Sequence, residues 1–119
     1  MKVAVPVTEK SYESNVYASF GRAPYFLIYD TETKDSKFIE NSAATSMGGA
    51  GIKAAQTIID NKVKVVLAPR CGQNAAHVIQ SADILIYKTV AGSAKDNIDA
   101  FVAGKLSLLD EIHAGFHRR

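Results

Sequence analysis

A single cysteine, Cys71, stands among the 119 residues. No internal disulfide can form, and the count fits a reducing compartment, so the expected location is cytoplasmic. Long apolar runs are also missing. The longest nearly apolar stretch, Val63 to Ala68, is far shorter than the ~20 residues a membrane span needs. Met1-Lys2 leads directly into a strand pattern, so neither a span nor a signal peptide is expected. Basic clustering is absent: the net charge is +2, and no basic run exceeds Arg118-Arg119. The electrostatic stripe that nucleic acid requires is therefore not there. The acidic residues, among them Glu9, Glu13, Asp30, Glu32, Asp35 and Glu40, are scattered along the chain. No carboxylate pair is placed to hold two magnesium ions for phosphoryl chemistry. The glycine-rich stretch Gly48-Gly49-Ala50-Gly51 lacks both the Walker spacing and the G-x-G-x-x-G pattern of dinucleotide sites.

What is present is ordinary globular material, 47% hydrophobic and 22% charged, of a length suited to one core. Residues 1–113 are expected to form one α/β domain and 114–119 a flexible tail. Val3, Val5 and Val7 alternate with Ala4 and Pro6 as in a mostly buried strand. Pro24 to Asp30 carries apolar side chains on both faces, and Lys37 to Asn41 returns after a polar turn, so a β-meander opens the chain. The period then changes. Ile52, Ala55, Ile58 and Ile59 recur at helical spacing up to Asn61, a residue suited to a left-handed cap. Val63 to Ala68 reads as a parallel strand covered on both faces, Ala75, Ala76 and Ile79 as a second helix, and Ile84 to Lys88 as the last strand. Ser93 and Asp96 form a capping-box pattern before a third helix that stops at Gly104. Leu106, Leu109 and Ile112 suggest a short terminal amphipathic turn.

Antiparallel hairpins followed by right-handed crossovers give a five-stranded mixed sheet of order 3-2-1-4-5 with three helices. Strands one, three, four and five then end at one edge, where ligands of open α/β sheets collect. The loops 8–23, 42–51, 69–72 and 89–93 meet there.

Three segments at that edge could carry chemistry. In Ser19-Phe20-Gly21-Arg22-Ala23-Pro24, Gly21 permits a backbone bend and Pro24 holds Ala23 extended. Arg22 is then either a solvated side chain or a fixed cation facing the edge. Arg70-Cys71-Gly72 occupies the turn between a buried strand and a helix, where helix-terminal N–H groups and a guanidinium favour anions and lower a thiol's pKa. Cys71 is accordingly either a reactive thiolate or a small buried hydrophobe. The Gly48-Gly49-Ala50-Gly51 loop is either an anion cradle or a plain helix start. His113 and His117 stand four apart, but Gly115 lies between them and no third ligand is in view, so they are read as solvated.

Taken in order, Val3-Ala4-Val5-Pro6-Val7, Phe20 to Phe26, Gly49-Ala50-Gly51-Ile52, Cys71-Gly72-Gln73-Asn74-Ala75, and Gly92 before a helix ending in Gly104-Lys105-Leu106 resemble the dinitrogenase iron-molybdenum cofactor biosynthesis family, of NifX and NifB C-terminal type. The resemblance implies an RNase H-like fold without nuclease chemistry. It also implies binding or carriage of iron-sulfur or iron-molybdenum cluster precursors. Arg22 and Arg70 would face the anionic cluster and Cys71 would be its soft sulfur ligand. Relatives often carry a histidine where this chain has Ser19, so any direct metal bond rests on Cys71.

The reading carried forward is a non-catalytic carrier module. Its site comprises Ser19, Phe20, Gly21, Arg22, Gly48, Gly49, Gly51, Arg70, Cys71, Gly72 and Gly92. Its partners are the metal-sulfur cofactor or precursor and the proteins that donate or accept it. A small-anion or nucleotide-binding regulatory module and a Cys71 thiol enzyme are the alternatives.

Overall fold

The computed structural model describes residues 1–109. The expected terminal residues Ile112, His113 and His117 lie outside that range. Five strands form one sheet in the order β3-β2-β1-β4-β5, with β1 at Lys2–Val7, β2 at Tyr25–Asp30, β3 at Ser36–Glu40, β4 at Val65–Ala68 and β5 at Leu85–Lys88. β2 runs antiparallel to both β1 and β3, whereas β4 runs parallel to β1 and β5. The strands β1, β3, β4 and β5 thus end at a common edge. The ladder between β1 and β4 pairs Val3 and Ala4 with Val65 and Val66, ahead of Pro6, which has no N–H to donate.

Alternation along β1 divides the core as its period of two requires. Val3, Val5 and Val7 join Leu27, Val65, Leu67 and Ile98 on one face. Ala4 lies on the other face with Phe26, Val66, Ile58 and Ile79. That second face is covered by α1 at Ala50–Asp60 and α2 at Gln73–Ser81, and the first by α3 at Ala94–Val102. Each fully buried isoleucine, Ile58, Ile79 and Ile98, contributes on the order of 2–3 kcal/mol of transfer free energy.

The structure corrects the sequence reading at three places. The buried stripe of α1 is Ala50, Ala54, Ala55 and Ile58, while Ile52 is 45% exposed. The rotation follows from a close approach: an added Cβ on Gly51 would stand 3.1 Å from the Ala75 Cβ, so the small residues of α1 face α2. At the end of α1 the left-handed residue is Lys62, at φ 59°, and Asn61 is not (φ −89°). Finally, Leu106 to Leu109 does not form a helical turn. The Lys88 N–H donates to the Ser107 carbonyl and the Leu109 N–H to the Ile86 carbonyl, so this segment covers the free edge of β5. An uncovered edge would offer unpaired backbone groups to other chains, which explains why pairing wins over helical spacing here.

Candidate functional site

At the common edge a 3-10 turn, Phe20–Arg22, meets the starts of α1 and α2 around a cavity of about 570 Å³. Its wall comes from three segments: Ala18 to Arg22, Gly49 to Ile52, and Arg70 to Ala75. Their convergence depends on missing side chains. A Cβ on Gly21 would lie 2.8 Å from the Gly51 Cα and 2.9 Å from its backbone nitrogen, closer than folded proteins allow.

Two devices hold the Phe20–Arg22 turn. Phe20 is buried and packs on Phe26 with ring centroids 5.2 Å apart. Asn41, also buried, donates from Nδ2 to the carbonyls of Gly21 (3.1 Å) and Ala23 (2.8 Å). Its Oδ1 accepts from the Ala43 N–H at 3.2 Å. Sequence reasoning took Asn41 only as a strand end. The available signal was an amide side chain just past a half-buried strand, with no way to see its partner 18 residues upstream.

Arg22 is fixed as well. Its Nη1 donates to the Ala44 carbonyl at 3.1 Å and to the Ser46 carbonyl, and the residue lines the cavity. Arg70, on the far wall, is exposed. No acidic side chain lines the cavity among the described residues.

The helix starts add to this. α1 has Gly49 at its N-cap, with φ 69°, and α2 has Gly72. Neither carries a side-chain cap. The first N–H groups of a helix have no intrahelical partner, so two sets of them, with the positive ends of two helix dipoles, open toward one cavity. α3 differs: Ser93 Oγ accepts from the Asp96 N–H and the Asp96 carboxylate accepts from the Ser93 N–H, a complete capping box.

Of the residues singled out from sequence, Ser19, Phe20, Gly21, Arg22, Gly49, Gly51, Arg70, Cys71 and Gly72 line the cavity, whereas Gly48 and Gly92 do not. Gly48 sits in open space beside the rim. Gly92 belongs to the α3 cap: at φ +130° it lies against Asp96, whose Oδ2 an added Cβ would meet at 2.8 Å. Gln73 and Asn74 complete the wall.

Cys71 is 1% exposed, within the core cluster beneath the cavity floor. Burial pushes its thiol up to about 12, the opposite of the lowered value expected from a helix start. The cause is desolvation: the thiolate would sit in the apolar core that buries this side chain. Among the described residues no group of three or more His, Cys, Asp or Glu side chains could hold a metal ion.

These features have counterparts. Residues 1–104 match the family model described as dinitrogenase iron-molybdenum cofactor. A NifB candidate from Thermotoga is similar at 34% identity, with 99% of this chain and 97% of that one covered and a TM-score of 0.83. The apo form of the orange protein from Desulfovibrio gigas is similar at 25% identity, with 92% of each chain covered and a TM-score of 0.87. A dinitrogenase candidate from Methanocaldococcus jannaschii, 22% identical over 93% of this chain and 96% of that one, shares the fold with a TM-score of 0.72. No protein of curated function matches the sequence. The family match spans nearly all the described residues, and the chain belongs to the dinitrogenase iron-molybdenum cofactor family.

Proposed function

We propose that this protein is a non-catalytic carrier that holds a preassembled, anionic metal-sulfur cluster as cargo, iron-sulfur or molybdenum-containing, in the cavity between Phe20–Arg22, α1 and α2. The family points to iron-molybdenum cofactor precursors. The observation that carries the reading is the pair of uncapped helix starts facing one cavity with Arg22 and Arg70 and no carboxylate in its wall. Such a cradle favours negative charge without a covalent bond. It suits transfer, because cargo held by hydrogen bonds and charge leaves without breaking metal-protein bonds. In this reading Cys71 is floor rather than ligand: it is 1% exposed and packed within the core cluster beneath the cavity.

Anaerobic incubation with tetrathiomolybdate, or with iron, sulfide and molybdate, followed by desalting, metal analysis and visible absorption, tests this. Stoichiometric metal with charge-transfer bands is expected for the wild type and for Cys71→Ala, and about tenfold weaker retention for Arg70→Ala. If neither treatment leaves bound metal, the carrier reading fails. If binding disappears with Cys71→Ala alone, direct thiolate ligation replaces the electrostatic cradle. Inorganic phosphate that displaces nothing but itself binds tightly would favour the small-anion regulatory alternative.

A further inference from the structure

Met47 is the most exposed large apolar side chain in the described residues, at 102% of its reference area. It touches nothing, yet its place in the chain is closely constrained. The preceding residue, Ser46, is tied four times: its carbonyl accepts from Arg22 Nη1, its N–H donates to the Ala43 carbonyl, and its Oγ accepts from Lys53 Nζ at 3.0 Å and donates to the Gly48 carbonyl at 2.6 Å. The following residues, Gly48 and Gly49, have no atoms within 4 Å of where a Cβ would be, and Gly49 is both cavity wall and N-cap of α1. Met47 thus stands at the tip of a short span whose backbone is held on both sides, at Ser46 and at Gly48 and Gly49, while its own side chain is free to rotate. Its thioether chain is unbranched and polarizable, able to fill an irregular gap. On the same rim Ile52 lines the cavity and remains 45% exposed, an apolar neighbour for a covering side chain.

We propose that Met47 is a further contact residue of the cavity: its side chain is a lid whose thioether folds over bound cargo by rotating about its own bonds, on a span latched through Arg22. The proposal rests on the carrier reading. Arg22 couples the two parts, since one guanidinium lines the cavity and holds the carbonyls of Ala44 and Ser46 at the base of the lid. Closure would exclude water from the anion and strengthen its hydrogen bonds to the cradle. Open, the lid exposes an apolar side chain; filled, the cavity gives that side chain something to cover.

The chain has just two methionines, and Met1 lies away from the cavity, its amino group on Thr31 and Glu32. Methyl-13C methionine labelling therefore yields one reporter on the lid and one internal control. The probe is tetrathiomolybdate, added anaerobically, with a soluble nitroxide to broaden solvent-exposed methyl signals and backbone amides of Gly51 and Gln73 to report occupancy. At saturation the Met47 methyl is expected to shift and to escape nitroxide broadening, with Met1 unchanged. If the Gly51 and Gln73 amides move while Met47 stays as broadened as before, the lid is wrong and the carrier reading stands. If neither amide nor methyl responds, both fall together. Release kinetics give a second readout: Met47→Ala is expected to release the probe about tenfold faster, with Met47→Leu close to wild type. Equal rates in all three proteins would overturn the lid.

Discussion

The starts of α1 and α2 differ from the start of α3 in a way that separates work on a ligand from work on the fold. α3 begins with Ser93 and Asp96 closing on each other's backbone, and buried Asn97 fastens the preceding loop through the Val90 N–H and carbonyl. Its first turn is fully satisfied, with the Ala94 and Lys95 N–H groups donating to the Ser14 and Tyr12 carbonyls. α1 and α2 begin with glycine, uncapped, and both open on the cavity. Against glycine a side-chain cap is worth a few tenths of a kcal/mol to a helix, so leaving it out at two adjacent starts gives up a little stability at the place where free N–H groups can meet an anion. All three loops reach the same edge of the sheet; only two of them are left unsatisfied.

The largest effect should come from breaking the approach that brings the unsatisfied starts together. Gly21→Ala would place a methyl 2.8 Å from the Gly51 Cα, which is backbone and cannot swing aside. The turn must separate from α1, losing the Asn41 hydrogen bonds to the Gly21 and Ala23 carbonyls. A loss of about 1–3 kcal/mol in urea unfolding is expected, together with loss of cluster retention. A variant as stable as wild type that still binds would show that the convergence of loops is looser than the structure indicates.

The second effect sharpens the comparison at Cys71, which sits one residue before the N-cap of α2. A thiol exposed to that helix start would ionise early; the buried one resists ionisation until about 12. Below the usual thiol value near 9 both folded and unfolded chains carry the neutral thiol, and the group has no influence on stability. Above it the unfolded chain ionises while the folded one does not, so stability falls as pH rises from about 9 towards 12, by at most about 1.4 kcal/mol per pH unit. Cys71→Ala lacks this contribution while keeping all the lysines and tyrosines. The stability difference between the two proteins should hold constant below pH 9 and shift against the wild type above it. A constant difference across the whole range would mean that the thiol is open to solvent or to the helix N–H groups.

Much of this arrangement was legible in the sequence, because it rests on local pattern. Val3, Val5 and Val7 against Ala4 gave the two-sided strand, Val63 to Ala68 the parallel strand, and Ser93 with Asp96 the cap of α3; strand order followed from short connections and crossover handedness. What escaped was set by partners distant in sequence. Ile52 fits the helical stripe, but the contact of Gly51 with Ala75 turns it outward. Leu106 and Leu109 have helical spacing, but the open edge of β5 draws their segment into pairing. Cys71 sits where a thiolate is favoured by chain position and is denied one by burial, a property of the core behind it. Gly92 looked like part of the site because it shares the edge, yet it serves the cap of α3.

The smallest effects on stability are the most diagnostic, because they exchange the two kinds of helix start. Ser93→Ala removes the α3 cap and should cost about 1 kcal/mol while leaving cluster retention unchanged, since Ser93 is not in the cavity wall. Gly72→Asp does the reverse. At φ −66° and ψ 156° the backbone already has N-cap geometry, and nothing lies within 4 Å of the new Cβ. The carboxylate can therefore accept from the first turn of α2, for a gain of a few tenths of a kcal/mol over glycine. It also occupies those N–H groups and places a negative charge where the cargo would sit, so tetrathiomolybdate affinity should fall about tenfold or more. Thermal unfolding and equilibrium dialysis on the two variants read both quantities. If Gly72→Asp gains stability and binds as well as the wild type, the bare start of α2 does not hold the anion, and the contrast with α3 is an accident of composition. Opposite signs in the two measurements would show that stability was given up at this helix start in exchange for binding.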